Sequence, residues 1–174
     1  EQRLYRAGDF DVGFRTVELQ DYRFLVNGVP MPIYGWNWVP VDVLYGVPRP
    51  EKVSRLLELA ACANVNLLRV WGGGLIESHD FYEICDRLGI LVWQEFVQSS
   101  SGIDSVPSDD PAFVATLAAD AREIVPRLRR HPSLALWCGG NELDGDDSNP
   151  ALAALRDVVR ELDPERAWLP TSPL

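Results

Sequence analysis

The sequence is poor in the residues that metal and disulfide chemistry need. Its 174 residues hold two histidines and three cysteines. Cys62, Cys85 and Cys138 are odd in number, far apart and set among apolar neighbours. That pattern favours buried free thiols over a disulfide framework or a metal site. No Cys-x-x-Cys or His-Glu-x-x-His spacing occurs, so neither a metal nor another cofactor is expected. Positive charge is scarce too: 16 Lys and Arg against 26 Asp and Glu leave a net charge of -10. Nucleic-acid phosphates are bound by basic faces, which argues against such a partner. A neutral ligand such as a sugar fits, although acidity alone often does no more than keep a surface soluble. Also missing is any run of about 18 apolar residues, so no membrane span is expected. The start, Glu1-Gln2-Arg3, lacks the basic and apolar regions of a signal peptide. A cytoplasmic parent protein is the expectation, with secretion left open.

What is present is ordinary for a globular domain: 47% hydrophobic and 24% charged residues, in a length that suits one sizeable core. Asp11 to Leu19 alternates in part and predicts a strand. Tyr22 to Val26 then meets Asn27-Gly28, a two-residue hairpin signal, and Met31 to Trp38 predicts the return arm, leading into a buried strand. Beyond it, strands and helices alternate. Pro50 opens a helix with Val53, Leu56, Leu57, Ala60 and Ala61 on one face. Asn66 to Trp71 is a short buried strand ending in three glycines. Ser78 can cap the next helix and Gly89 can close it. Ile90 to Trp93 is a strand, and the polar loop 98–109 predicts an exposed feature over a site. A third helix starts at Asp109 or Asp110 and runs to Arg130, with Pro126 implying a kink or a late break. Leu134 to Trp137, a helix from Pro150 to Leu162, and a strand from Ala167 complete the series.

This rhythm predicts an α/β fold with a parallel sheet and right-handed crossovers. A doubly wound sheet and a barrel share it. The special residues gather just after successive strands, at Asn37, Trp71, Glu95 and Asn141-Glu142. A shared site at the strand C-terminal face of a barrel requires that placement.

Glu142 follows an apolar strand and two glycines that let backbone approach a ligand, with the amide of Asn141 beside it. A carboxyl group at a strand end near apolar Trp137 suits a general acid with a raised pKa. The alternative is a Gly-rich turn in which Asn and Glu cap the next helix. Gly72-Gly73-Gly74 lacks the Lys-Ser/Thr of a phosphate loop. Trp71 before it can stack on a sugar face or simply fill the core. Glu95 can bind a sugar hydroxyl, orient Glu142, or be a surface acid. Aromatic, amide and carboxylate groups without metal ligands or basic clusters are a carbohydrate-site composition, and six tryptophans agree with it.

At this point the chain resembles glycoside hydrolase family 2, in its β-mannosidase-like branch. The resemblance rests on ordered motifs: Gly13-Phe14-Arg15-Thr16-Val17, Tyr34-Gly35-Trp36-Asn37-Trp38-Val39-Pro40, Leu68-Arg69-Val70-Trp71-Gly72-Gly73-Gly74 with Glu77, and Phe81 through Phe96. The most specific is His131 through Glu142. It implies the first half of a (β/α)8 TIM barrel, about the first four or five βα units, entered through a β-hairpin. Residues 1–20 would end a preceding immunoglobulin-like domain, and 21–174 would be barrel. It further implies a retaining mechanism with Glu142 as acid/base and Asn141 on the sugar 2-hydroxyl. Trp71 and Glu95 would shape the sugar subsite, with Arg69, Asn37 and Trp137 as further substrate-binding positions. The branch usually has Asp where Glu95 stands, and loop 98–104 departs from its better-known members. No carboxylate here matches the family's nucleophile, which lies on a late barrel strand. Activity is therefore expected of a longer parent and not of this stretch alone, whose open strand edges predict pairing with a second copy. An inactive carbohydrate-binding or scaffold domain, and a family-2 enzyme acting on β-galactoside, β-glucuronide or β-glucosaminide, are the alternatives.

Overall fold

The computed structural model describes residues 13–173. Two sheets form. The first is a meander of β1 (Val17–Gln20), β2 (Arg23–Val26) and β3 (Val29–Met31), antiparallel throughout. Asn27 and Gly28 both take positive φ (52° and 75°), the backbone that a two-residue hairpin turn demands. Here the structure differs from the expected hairpin. The return arm stops at Met31, and Pro32 separates it from β4 (Gly35–Trp38), which enters the other sheet. Pro30 fits because β3 is an edge strand, where a missing N–H costs no ladder bond. The strand expected from Asp11 begins at Val17, with Asp11 and Val12 outside the described residues. β1 pairs with β2, so the expected division after residue 20 falls inside one sheet.

The second sheet holds five parallel strands in sequence order: β4, β5 (Leu67–Val70), β6 (Leu91–Glu95), β7 (Leu134–Cys138) and β8 (Ala167–Leu169). Helices α1 (Pro50–Cys62), α2 (His79–Leu88), α3 (Pro111–Leu128) and α4 (Pro150–Leu162) fill the four crossovers. Three begin with proline, whose absent N–H is one of the donors a first turn leaves unpaired. Asp110 caps α3 by accepting from the Ala112 N–H, and Asn149 caps α4 through the N–H groups of Ala151 and Leu152. Ser78 occupies the cap position of α2 without a side-chain bond, and Gly89 closes that helix at φ 70°. α3 continues two residues past Pro126, so the proline gives the late break.

Two apolar clusters lie on opposite sides of the parallel sheet. The outer one joins the sheet to the helices through Trp38, Leu68, Val70, Val92, Leu134 and Trp137 against Leu57, Phe81, Ala121 and Leu155. The inner one joins Leu67, Leu91, Ala135, Leu136, Cys138 and Leu169 to Phe24 of the meander, with Val17, Leu19, Val26 and Met31 around it. The meander therefore covers the foot of the inner face. Arg15 fastens its lead-in by donating to the carbonyls of Pro132 and Leu134, just ahead of and at the start of β7. Burial, and then the neighbouring charge of Arg166, pull its guanidinium down to about 10. Cys85 and Cys138 are buried free thiols as expected, whereas Cys62 at the end of α1 is exposed. No helix among the described residues is long and apolar enough to cross a membrane.

Candidate active site

Side chains alternate across a strand, so neighbours in sequence face opposite layers. On β5, Arg69 faces inward between outward Leu68 and Val70. On β6, Glu95 follows outward Gln94, whose amide oxygen accepts the Tyr82 hydroxyl under α2 at 2.6 Å. On β4, Asn37 lies inward between Trp36 and Trp38. Registers Asn37↔Arg69 and Glu95↔Cys138 then gather these inward groups at the C-terminal rim.

There the Arg69 guanidinium donates three ways: Nε to Glu95 Oε1 at 2.8 Å, Nη1 to Asn37 Oδ1 at 3.0 Å and Nη2 to Asn141 Oδ1 at 2.6 Å. Glu95 is 1% exposed and accepts on both oxygens. Oε2 takes the Gly72 N–H at 2.7 Å, and the Cys138 thiol lies 3.8 Å from Oε1. Burial pushes the Glu95 carboxyl above its ordinary value despite the opposing pull of Arg69 and the Gly72 N–H. Burial, then the Glu95 charge, push the Cys138 thiol up to about 12, so it stays protonated and has an S–H to give.

Asn141 and Glu142 are held between two neighbouring loops, those after β6 and β8. Parallel bridges Ser99↔Asn141 and Asn141↔Ser172 carry the sheet register beyond the strand ends. The Asn141 N–H donates to Gln98 O at 3.0 Å, and Asn141 O accepts from Ser100 N at 3.0 Å. The Glu142 N–H donates to Ser172 O at 2.7 Å, and Leu143 N donates to Thr171 Oγ1 at 2.9 Å. Asn141 Nδ2 reaches Ser99 Oγ at 3.0 Å. Glu142 has φ 52°, a left-handed conformation that an L side chain seldom adopts, and its side chain is exposed. A strained backbone pinned by its neighbours and presenting a carboxyl group is the arrangement found at working sites.

The glycines serve differently from the expectation of ligand approach. A Cβ on Gly139 would lie 2.2 Å from Pro170 O, and one on Gly72 2.5 Å from Gln98 O. They let backbone pass backbone, which draws the loops after β5 and β6 together at Gly72 and those after β7 and β8 together at Gly139. Trp71 is half-buried and borders an open hollow of about 1020 Å³ formed with the 39–47 segment. That hollow shares Trp71 alone with the expected site residues, so it lies beside the polar cluster and not over it.

Trp137 is a correction. It is 0% exposed on the outer face, stacked on Phe96 with ring centroids 5.2 Å apart, and donates Nε1–H to Asp163 at 2.9 Å. It cannot touch a ligand at the inner rim, nor give Glu142 an apolar wall. Trp38 is likewise outward, donating to Glu77 Oε1 at 2.8 Å within the core. Of the remaining expected residues, Asn37, Arg69, Glu95 and Asn141 converge, and Glu142 follows Asn141 in the same turn with Ser100 Oγ 3.5 Å from its Oε2. Sequence reading overlooked Cys138, Ser99 and Ser172; strand parity from Glu95 and its register partner points to the first. Among the described residues, no cluster of His, Cys, Asp and Glu is arranged to hold a metal ion.

A parallel sheet whose polar side chains meet at the C-terminal rim defines a sector of a (β/α) barrel built around a rim site. The family description "Glycosyl hydrolases family 2, TIM barrel domain" matches residues 17–168, and the chain belongs to that family. It is 38% identical over 141 residues to a beta-mannosidase of Rattus norvegicus, covering 75% of this chain and 16% of the relative. The crystal structure of a beta-D-mannosidase from Dictyoglomus thermophilum superposes with TM-score 0.80 at 37% identity, over 93% of this chain and 22% of that one. A Bacteroides uniformis beta-glucuronidase, at TM-score 0.73 and 22% identity over 90% of this chain and 20% of that one, shares the fold. The chain thus spans about a fifth of the length of such relatives, and its five strands are part of an eight-stranded barrel.

Proposed function

We propose that the protein of which this chain forms part hydrolyses terminal, non-reducing β-glycosidic bonds, β-mannosides first among them, by retaining double displacement. The observation that carries this reading is Asn141-Glu142, clamped between the loops after β6 and β8 at the rim beside the Arg69–Glu95 cluster. The sugar is taken from the beta-mannosidases it is similar to. In the first step a carboxylate on a later barrel strand attacks the anomeric carbon. The bond to the leaving oxygen breaks, and Glu142 gives that oxygen its proton. In the second, Glu142 takes a proton from water as the water oxygen displaces the enzyme carboxylate. Asn141 holds the 2-hydroxyl, and Trp71 borders the space beside the sugar. The nucleophile is assigned outside this chain, so the sector alone is inactive. The free edges of β4 and β8 are assigned to the seam with the remaining strands, which replaces the expected pairing with a second copy. The lead-in to the meander is assigned to the end of a preceding immunoglobulin-like domain.

The test is turnover of nitrophenyl and poor-leaving-group alkyl β-glycosides by the full-length protein and its Glu142→Gln variant. Glu142→Gln is expected to lose about 10²–10⁴-fold on alkyl glycosides, whose departure needs a proton, and less on nitrophenyl ones. Unchanged alkyl-glycoside turnover overturns the assignment. Sugar binding by a wild type with no turnover of any glycoside favours the inactive binding domain.

A further inference from the structure

Glu95 stands where a sugar-reading carboxylate is expected, yet its side chain is buried and each of its oxygens already accepts a hydrogen bond from the protein. Its side chain is fully buried and both oxygens are engaged, by Arg69 Nε at 2.8 Å and Gly72 N at 2.7 Å. Accepting on both oxygens is what a carboxylate does. The engagement fixes Arg69, because a guanidinium held through Nε has its other two nitrogens aimed by its planarity. One of them meets Asn141 Oδ1 at 2.6 Å. The two ends of the Asn141 amide are thereby told apart. Its oxygen must face Arg69, which only donates, and its nitrogen is left for Ser99 Oγ at 3.0 Å and for the cleft.

We propose that Glu95 is a positioning residue for Asn141. By holding Arg69 it sets the orientation of the Asn141 amide, so that Nδ2–H is the group offered to the substrate, and it touches no sugar itself. This rests on the reading of the site as a glycosidase rim with Asn141 at the 2-hydroxyl. The chain of contact runs Gly72 N–H and Arg69 to Glu95, and Arg69 on to Asn141. It joins three successive βα loops of the rim. Glu95→Gln breaks it chemically at constant size, because a Gln side chain has one acceptor oxygen for two donors. Whichever way the amide turns, an N–H meets an N–H.

The experiment uses the full-length protein with Glu95→Gln, Glu95→Asp, Asn141→Ala and the Glu95→Gln/Asn141→Ala double variant. The substrates are an aryl β-mannoside and its 2-deoxy counterpart. Glu95→Gln is expected to lower kcat about 10²-fold on the mannoside with KM within threefold, the signature of an interaction used in the transition state. On the 2-deoxy substrate its loss shrinks to a few-fold, as does that of Asn141→Ala. The double variant is no slower than Asn141→Ala by more than twofold, since two residues acting as one unit do not multiply. Glu95→Asp, which keeps both oxygens, falls between wild type and Glu95→Gln and repeats the non-additivity if the Gln variant does not fold. Multiplying losses, an equal Glu95→Gln loss on both substrates, or a change in KM alone overturns the proposal. A Glu142→Gln control run alongside separates the cases. If it leaves poor-leaving-group turnover intact the glycosidase reading itself has failed, whereas an impaired control with multiplying losses defeats the Glu95 role alone.

Discussion

The two faces of the parallel sheet are made from the same strands and do opposite work. The outer face is dry and aromatic: Trp38, Phe96, Trp137 and the half-buried Trp168 lie under helices, and their indole N–H groups at 38, 137 and 168 are each taken by a carboxylate. The inner face is apolar only at its foot, where Phe24 and the meander cover it, and becomes charged at its rim. Stability is thus concentrated on one side and chemistry on the other. A single strand serves both because consecutive residues point opposite ways.

The largest break in that division is Trp137→Ala. Removing a fully buried indole from the outer layer is expected to cost about 3–5 kcal/mol, read by denaturant unfolding of the whole protein, with turnover per folded molecule kept. Selective loss of turnover at unchanged stability would restore Trp137 to the substrate site. A smaller effect comes from Asp86, which ties α2 to the lead-in of β7. It accepts from His131 Nδ1 at 2.6 Å and from the Ser133 N–H at 2.8 Å. Burial raises the Asp86 carboxyl, but the bonds from His131 and Ser133 outweigh it and hold it below the usual range. A depressed folded-state value adds stability that is full above the unfolded carboxylate pKa, near 3.9, and is lost as pH falls through the folded value. Asp86→Asn is therefore expected to cost about 1 kcal/mol at neutral pH, a figure discounted for partial solvent access. The gap to wild type should close below about pH 4; a gap that persists there argues against the charge as its source. The smallest effect should be Glu142→Gly. Relief of φ 52° is expected to gain up to about 1 kcal/mol while abolishing acid catalysis. A lower melting temperature would show that Glu142 is not strained.

Much of this was legible in the sequence. Proline, Ser and Asp signals placed the helix starts, Asn27-Gly28 placed the turn, and the Asn141-Glu142 motif placed the rim. What stayed hidden has a common cause. Leu134 to Cys138 is apolar at every position and buried on both faces, so no alternation marks which side chains look inward. Trp137 was therefore assigned to the site in place of Cys138, one residue on. Gly139 reads in sequence as a point of ligand approach because its true neighbour, Pro170 O, is remote in sequence, as Gln98 O is from Gly72. Glu95 was legible as a rim carboxylate. That Arg69 and Gly72 already use both its oxygens depends on three separate loops closing together.

The strand order has a consequence for how the molecule is made. Each parallel strand pairs with the one just synthesised, and the meander precedes them all. A chain emerging from the ribosome can therefore add one βα unit at a time to a foot already covered, with only the crossover between neighbouring strands to close at each stage. Among the described residues, the last partner of Asn141 and Glu142 is Ser172, and Thr171 holds the next residue, Leu143. The Asn141-Glu142 turn thus meets Ser172 about thirty residues after it is translated, ahead of the strand to which the nucleophile is assigned in the proposed function.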